Sequence, residues 1–136
     1  MSEVLERIGE IGIVPVVRIE GTDKAAISAK AVGLGRALEA GGIPVAEITF
    51  RTGAAPDAIR AIRGELPELL VGAGTVTTRD MAATAVEAGA RFVVCPACDE
   101  GVIDYCLKLG VPVLPGVSNP DGVARGQGKG LKVLKF

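Results

Sequence analysis

Polar side chains that could form an active site alternate along one apolar segment of the chain. Between positions 45 and 52, Glu47, Thr49 and Arg51 alternate with the apolar residues Ala46, Ile48 and Phe50. Successive side chains of a β-strand point to opposite faces, so this spacing places the three polar groups on one face. Because a carboxylate and a guanidinium are costly to bury unpaired, the pattern favours a pocket that could move protons and bind an anion. The alternative is the solvated face of an edge strand.

A lysine near the end of the chain could act as a nucleophile. In the segment 131–136, strand alternation places Lys132 and Lys135 on opposite faces, so one lies inside if the strand is internal. We assign Lys135 to the interior with Leu131 and Val133, because Lys132 lies near the strand start and can extend outward. Desolvation in an apolar pocket lowers the pKa of a lysine and makes its neutral amine available to attack a carbonyl. The alternative is an ordinary lysine at a chain end.

A glycine-rich segment from Gly72 to Val76 could bring the backbone close to a small anionic ligand. The hydroxyl of Thr75 and the nearby amides would then donate hydrogen bonds. The alternative is a tight strand-to-helix turn. The segment lacks the third glycine of a dinucleotide-binding fingerprint, so a nicotinamide enzyme is not expected.

The chain contains three cysteines and no histidine. It therefore contains no Ser-His-Asp triad, Cys-His dyad or His-ligated zinc site, and proton transfer falls to Glu, Asp, Lys, Tyr or Cys. Cys95 and Cys98 have the spacing of a redox motif, so a thiol redox protein is one possible interpretation. It is the poorer alternative to buried or half-buried free thiols, and three cysteines are too few for a four-thiolate metal site.

Length and composition indicate a single domain over residues 1–136. A hydrophobic content of 49% with only 3% aromatics suits α/β layers, whose buried parallel strands contain branched aliphatic residues. The formal charge of -1 provides no electrostatic basis for binding nucleic acid or an anionic membrane. Apolar runs are too short to span a bilayer, and the acidic start is unlike a secretory signal, so we expect a cytoplasmic protein.

A glycine between a helix-like stretch and a short apolar run recurs along the chain. It occurs near positions 41, 89, 110 and 130, and predicts helices that end in glycine caps before parallel strands. The pattern predicts a leading helix near 2–9, strands near 12–18, 44–50, 69–73, 91–95, 111–114 and 131–135, and further helices near 23–40, 54–64, 78–88, 99–109 and 119–127. Four glycines weaken the prediction of the last helix.

Six βα strands fit either an open doubly wound sheet or most of a TIM-type (β/α)8 barrel. Barrel enzymes collect catalytic groups from the carboxyl ends of many strands, whereas an open sheet places its ligand at one switch point. Polar or site-like residues lie at or beyond most of the predicted strand ends, and this favours the barrel: Arg18, Glu47, Arg51, Thr75, Pro96, Ser118 and Lys135.

Five segments together resemble the 2-keto-3-deoxy-6-phosphogluconate (KDPG)/4-hydroxy-2-oxoglutarate (KHG) aldolases in order and spacing. They are Val14-Pro15-Val16-Val17-Arg18, Glu47-Ile48-Thr49-Phe50-Arg51-Thr52, Val71-Gly72-Ala73-Gly74-Thr75-Val76, Pro115-Gly116-Val117-Ser118 and Leu134-Lys135-Phe136. The resemblance covers nearly the whole chain. It implies a metal-independent class I aldolase without a cofactor, on a barrel fold and commonly trimeric.

The resemblance also implies roles for individual residues. Lys135 would form the Schiff base and Glu47 would be the general acid/base; Arg51 and Thr75 would hold the carboxylate of the pyruvate portion, Pro96 would shape the pocket and Arg18 would lie near its entrance. The substrate would be KDPG, cleaved to pyruvate and glyceraldehyde 3-phosphate, or 4-hydroxy-2-oxoglutarate, cleaved to pyruvate and glyoxylate.

Two features depart from the resemblance. The segment from Cys95 to Cys98 stands where the family more often has a Ser-Pro-Gly-like sequence. The sequence also stops after Lys135 and Phe136, before two further strands whose glycine-rich loops bind the substrate phosphate in the family. An incomplete barrel has unpaired edge strands, so the alternative to an aldolase is a non-catalytic barrel fragment that oligomerises.

Overall fold

The computed structural model describes residues 2–136, in which helices and strands alternate. The helices are α1 (Glu3–Ile11), α2 (Lys24–Ala40), α3 (Ala55–Glu65), α4 (Arg79–Ala88), α5 (Glu100–Lys108) and α6 (Pro120–Gly128). The strands are β1 (Val16–Val17), β2 (Val45–Thr49), β3 (Leu70–Gly74), β4 (Val93–Cys95) and β5 (Val113–Pro115). All six predicted helices are present, with small shifts at their ends. No helix within residues 2–136 has the length and hydropathy needed to cross a membrane.

The strand order identifies the type of sheet. All five strands are parallel and neighbour one another in chain order, β1-β2-β3-β4-β5. A doubly wound sheet reverses its order at a switch point and carries helices on both faces. Here the order does not reverse, and α2, α3, α4 and α5 contribute to a single apolar cluster with one face of the sheet. These are consecutive βα units of the barrel type.

The two outer strands are shorter than the sequence predicts. β1 pairs only through Val16 and Val17, because the preceding Pro15 has no N–H to donate and the strand has a neighbour on one side only. The predicted sixth strand, 131–135, is wrong as an extended strand: it reaches the sheet through one parallel bridge between Lys135 and Gly116. The first residue of this segment, Leu131, is instead hydrogen-bonded to the end of α6.

Four glycines end helices in the predicted way. At each, the residue after the glycine donates a hydrogen bond of 2.9–3.1 Å to the carbonyl five residues earlier, as in a Schellman motif. The glycines have φ angles that a β-carbon would strain: Gly42 (79°), Gly89 (103°), Gly110 (69°) and Gly130 (77°). Each repeated glycine of the sequence therefore ends a helix and lets the chain turn back towards the next strand.

The fourth of these caps explains the missing part of the sixth strand. Leu131 donates a 3.1 Å hydrogen bond to the carbonyl of Gly126 and packs against the cluster between sheet and helices. The expectation that Leu131 lies on the interior face with Lys135 is therefore wrong, because Leu131 belongs to the end of α6. Despite its glycines, α6 forms, with the Asn119 side chain accepting a 2.8 Å hydrogen bond from the Gly122 N–H.

The two faces of β2 pack differently. Ala46 and Ile48 are buried in the cluster beneath the helices, and Phe50 packs against the same cluster. Val45 faces the other side, where a smaller cluster includes Leu70, Phe92 and Val94 with apolar residues of α1. The predicted alternation is confirmed for the apolar residues from Val45 to Phe50, while Arg51 lies beyond the end of β2. We call the side that carries Val45 the inner face, and Glu47 shares it because strand side chains repeat with period two.

Candidate active site

Glu47 is a buried carboxyl group on the inner face of β2, with 4% of its surface exposed. Its side chain lies against Gly74 of the neighbouring strand β3. Burial raises the pKa of the Glu47 carboxyl above its ordinary value of 4.5, while the positive charges of Lys135 and Arg51 act in the opposite direction. Desolvation of the Glu47 carboxyl thus outweighs the effect of the two positive charges on its pKa. A carboxyl with a raised pKa is better suited to exchanging protons near neutral pH.

Lys135 reaches the same side of the sheet as Glu47. Its N–H donates to the carbonyl of Pro115 at 3.0 Å, and its carbonyl accepts from the N–H of Val117 at 2.8 Å, which aligns it beside β5. The side chain of its neighbour Leu134 lies against Gly126 of α6, although Leu134 also borders the cavity that Lys135 lines. Alternation therefore directs Lys135 inward.

The two residues line one cavity of about 260 Å³. The other lining residues are apolar: Val14, Val16, Phe92, Val94, Leu114 and Leu134. The cavity is open, and the side chain of Lys135 is exposed. The expectation of a lysine enclosed in an apolar pocket is wrong for residues 2–136, because no described strand pairs beyond Lys135. Lys132 is exposed as well, as expected for the lysine that extends outward.

The remaining polar residues of β2 have different environments. Thr49 is fully buried, and its hydroxyl donates a 3.1 Å hydrogen bond to the carbonyl of Val17 in β1. It therefore joins two strands instead of lining a pocket. Arg51 follows the strand, is exposed, and lies close enough for its charge to lower the pKa of Glu47. Of the three polar residues in the stripe, Glu47 and Arg51 are the ones available to a ligand.

Thr75 follows β3 in a conformation that is unusual for its residue type. Its φ angle of 56° makes it the one non-glycine residue with positive φ in the described part of the chain. A β-branched residue in the left-handed region costs on the order of 1–3 kcal/mol, and such strain clusters at functional sites. The half-buried Thr75 comes immediately after Gly74, at the carboxyl edge where β2 also ends.

A second, more polar cavity of about 390 Å³ adjoins the first at Lys135. Pro96, Gly116 and Ser118 contribute to its wall together with Asn119 and Arg125 of the α6 region. The close approach of the Pro96 carbonyl leaves no room for a side chain at Gly116. Pro96 and Lys135 thus line the same cavity. The sequence did not identify Arg125 as a site residue, because nothing in a glycine-rich helix indicates which way its charged residue faces.

Arg18 does not border the cavities that contain Lys135. It is exposed after β1 and forms a 2.8 Å ion pair with Glu20. The structure thus brings Glu47, Lys135, Arg51 and Thr75 to one edge of the sheet and leaves Arg18 at its margin.

The cysteines have the environments of structural thiols. Burial, with smaller effects from Cys106, Asp99 and Cys98, raises the pKa of Cys95 to about 12, and burial raises the pKa of Cys106 to about 11. Reactive cysteines need a lowered pKa and access to solvent. All three are free thiols, with only Cys98 partly exposed. The thiol redox alternative is therefore disfavoured.

A larger cavity lies away from this edge of the sheet. A groove of about 560 Å³ lies between α2 and α3 and is lined by helix residues such as Lys24, Asp57 and Arg60. Neither Glu47 nor Lys135 contributes to it. Size alone thus indicates a different location from the one that collects the chemically useful groups at strand ends.

Comparison with known proteins identifies the family. The family model described as KDPG and KHG aldolase matches residues 4–136. The chain belongs to the KDPG and KHG aldolase family. The resemblance in the strand-end motifs is thereby confirmed, and the site described above lies within the matched region of this aldolase-family chain.

Three relatives illustrate how far the similarity extends. A 2-dehydro-3-deoxy-phosphogluconate aldolase of Treponema pallidum (strain Nichols) is 41% identical over 136 residues, covering 100% of this chain and 62% of that protein. The structure of a 4-hydroxy-2-oxoglutarate aldolase/2-deydro-3-deoxyphosphogluconate aldolase from TTHB1 has a TM-score of 0.87 at 38% identity, with 100% of this chain and 64% of that one covered. A KDPG aldolase from Legionella pneumophila, captured with pyruvate as a covalent carbinolamine, has a TM-score of 0.77 at 35% identity, with coverage of 90% and 57%.

Membership of the KDPG and KHG aldolase family establishes the fold class of this chain. The predicted fold class, part of a TIM-type (β/α)8 barrel, is confirmed, with five strands and one bridge in place of six strands. The chain spans about 62% of the length of the Treponema pallidum relative.

Proposed function

We propose that this chain carries the 2-keto acid chemistry of a class I aldolase, with Lys135 as the Schiff-base residue and Glu47 as the general acid/base. The neutral amine of Lys135 adds to the substrate ketone, and loss of water forms an imine. The hydroxyl on the leaving carbon gives its proton to Glu47, directly or through water, and the protonated imine accepts the electron pair of the breaking carbon–carbon bond, which releases an aldehyde and leaves an enamine. Protonation of the enamine and hydrolysis then release pyruvate and restore the amine.

The observation that carries this proposal is the shared cavity of Glu47 and Lys135. A buried carboxyl group with a raised pKa and a lysine amine line the same 260 Å³ space on the inner face. The carboxyl can take up and deliver protons near neutral pH, directly or through water, during carbinolamine dehydration and enamine protonation. The captured carbinolamine of the Legionella pneumophila relative supports the same covalent chemistry.

The neighbouring residues fit the remaining parts of a 2-keto acid. Arg51 would offer its planar donor fork to the carboxylate, and Thr75 would donate from its strained position after β3. Pro96 would shape the wall beside Lys135, and Arg18, at the margin, would attract an anionic substrate to the entrance. These residue roles are part of the proposal.

The proposed substrate is KDPG, which yields pyruvate and glyceraldehyde 3-phosphate; 4-hydroxy-2-oxoglutarate, which yields pyruvate and glyoxylate, is included. Both share the pyruvate portion that Lys135 and Arg51 would hold. The names of the relatives support this pair of substrates. We also propose that residues 1–136 act as one incomplete barrel domain of a cytoplasmic homotrimer without metal or cofactor.

Borohydride trapping tests the covalent step. The folded chain, incubated with pyruvate and then borohydride, should gain the mass of one reduced pyruvate adduct, and peptide mapping should locate it at Lys135. Lys132→Ala should retain the adduct and Lys135→Ala should lose it. An unmodified lysine in a sample that circular dichroism shows to be folded would overturn the proposal, as would an adduct at Lys132.

A second candidate function, a non-catalytic barrel fragment that associates with itself, is supported by exposed apolar residues near both edges of the sheet. Val16 on β1 is 51% exposed, and Phe136 beside the Lys135 bridge is 98% exposed. Unpaired strand edges with apolar neighbours favour association. Sedimentation velocity with Val16→Lys and Phe136→Lys distinguishes the two: association that disappears in these variants, without any pyruvate adduct in the wild type, would favour the fragment.

A further inference from the structure

Two glycines of β3 leave gaps on the inner face that other side chains fill. A β-carbon at Gly72 would overlap the ring of Phe92. A β-carbon at Gly74 would lie 2.6 Å from both Cγ and Cδ of Glu47, and closer still to Oε1. Real β-carbons do not approach other atoms within 3.0 Å. The carboxyl group of Glu47 therefore occupies space that exists only because residue 74 has no side chain.

We propose that Gly74 is a positioning residue for Glu47: its missing side chain lets the carboxyl group lie against β3, where it faces the cavity shared with Lys135. The meaning for catalysis rests on the proposed function. Two other roles for this glycine follow from the sequence alone, the close approach of an anionic ligand to the backbone and a tight strand-to-helix turn. In the structure the approaching group is the protein's own carboxyl.

The direction of the Glu47 side chain depends on the shape of the gap at Gly74. Within residues 2–136, none of the side-chain hydrogen bonds or ion pairs involves its carboxyl group; its backbone N–H donates to Pro15 at 2.9 Å. A side chain without a polar tether takes its direction from the space open to its rotamers. In the sheet, Thr49 lies opposite Gly74 and two residues beyond Glu47. Because the Glu47 side chain lies against Gly74, it extends along the strand towards the carboxyl edge, where the site lies.

An alanine at position 74 would displace this carboxyl group. The nearest space lies in the open cavity, where water surrounds the carboxyl more fully. Because desolvation is the largest cause of the raised pKa of Glu47, the pKa should fall towards its ordinary value in Gly74→Ala. Gly72→Ala is the matched control, because it adds the same methyl group to the same face of the same strand but meets Phe92.

Stability measurements in a double-mutant cycle test the contact without reference to activity. Gly74→Ala should lower the urea midpoint, and most of that loss should disappear when Glu47→Ala removes the overlapping atoms. The loss from Gly72→Ala should be the same with and without Glu47. Equal losses from Gly74→Ala in both backgrounds would overturn the proposal. If Gly74→Ala does not fold, the double variant should fold, and its failure to do so is also contrary.

Two further measurements test positioning. Carbon-detected NMR titration should show a lower pKa for Glu47 in Gly74→Ala, and an unchanged pKa would overturn the proposal. Exchange of the pyruvate methyl protons with deuterium should slow by about a hundredfold, the low end of the effect of a positioned acid–base group. If the wild type forms no pyruvate adduct, the proposed function fails, while the stability cycle and the titration still decide the role of Gly74.

Discussion

The hydroxyl of Thr49, in the interior of the sheet, donates a 3.1 Å hydrogen bond to the carbonyl of Val17. β1 contains only two residues and has one neighbouring strand, so few backbone hydrogen bonds hold it. The Thr52 hydroxyl makes a similar bond of 2.5 Å to the carbonyl of Ile19. Two threonines from the β2 region thus fasten the segment that carries Arg18 at the margin of the site.

Replacing Thr49 by valine should destabilise the protein by about 1 kcal/mol, the usual net value of one hydrogen bond. Valine keeps the shape and the β-propensity of threonine, so the loss reports the hydroxyl. Urea unfolding measures it. Thr77→Val is the control, because the Thr77 hydroxyl is exposed and bonded to the sulfur of Met81. Equal midpoints for Thr49→Val and the wild type would contradict the assigned hydrogen bond.

The raised pKa of Glu47 predicts a pH dependence of stability. The folded chain binds this proton more tightly than the unfolded chain, so the free energy of unfolding falls as pH rises from about 4.5 through the folded-state pKa. Glu47→Gln removes this effect. We expect the variant to be more stable than the wild type at neutral pH, with the difference vanishing at pH values well below 4.5. A gap in urea midpoint that does not change with pH would argue against desolvation as its cause.

Thiol accessibility separates the three cysteines. At neutral pH, a thiol reagent should modify Cys98 first, because it alone is partly exposed. Cys95 and Cys106, buried and with pKa values of about 12 and about 11, should react only after urea unfolds the chain. Mass spectrometry of digests identifies each site. Rapid modification of Cys95 in the folded protein would restore the redox alternative.

Two glycines of α6 should respond in opposite ways to alanine. A β-carbon at Gly128 meets nothing within 4 Å, so Gly128→Ala should stabilise the helix by up to about 1 kcal/mol. A β-carbon at Gly126 would lie 2.6 Å from Cδ2 of Leu134, the neighbour of Lys135. Gly126→Ala should therefore give no such increase in stability, because Leu134 must move. Thermal denaturation compares the two; equal gains would show that Leu134 does not hold this contact.

Much of the fold could be predicted because its signals are local. The glycines at the helix ends, the alternation along 45–50 and the sequence of βα units depend on backbone angles and on periods of a few residues. The sixth strand could not be predicted in this way. Its residues have strand composition, but Leu131 is taken up by the end of α6, and only Lys135 reaches a partner.

The sequence by itself determined the family and the candidate residues Glu47, Arg51, Thr75 and Lys135. It also determined the edge of the sheet where they lie, because the ends of strands can be predicted from the order of neighbouring residues. Tertiary structure decided which of them share a space. Burial raises the pKa of Glu47, the missing side chain of Gly74 admits its carboxyl, and Lys135 faces it across an open cavity. Such effects arise where distant segments meet, because desolvation and excluded volume depend on every neighbour and not on the residue alone.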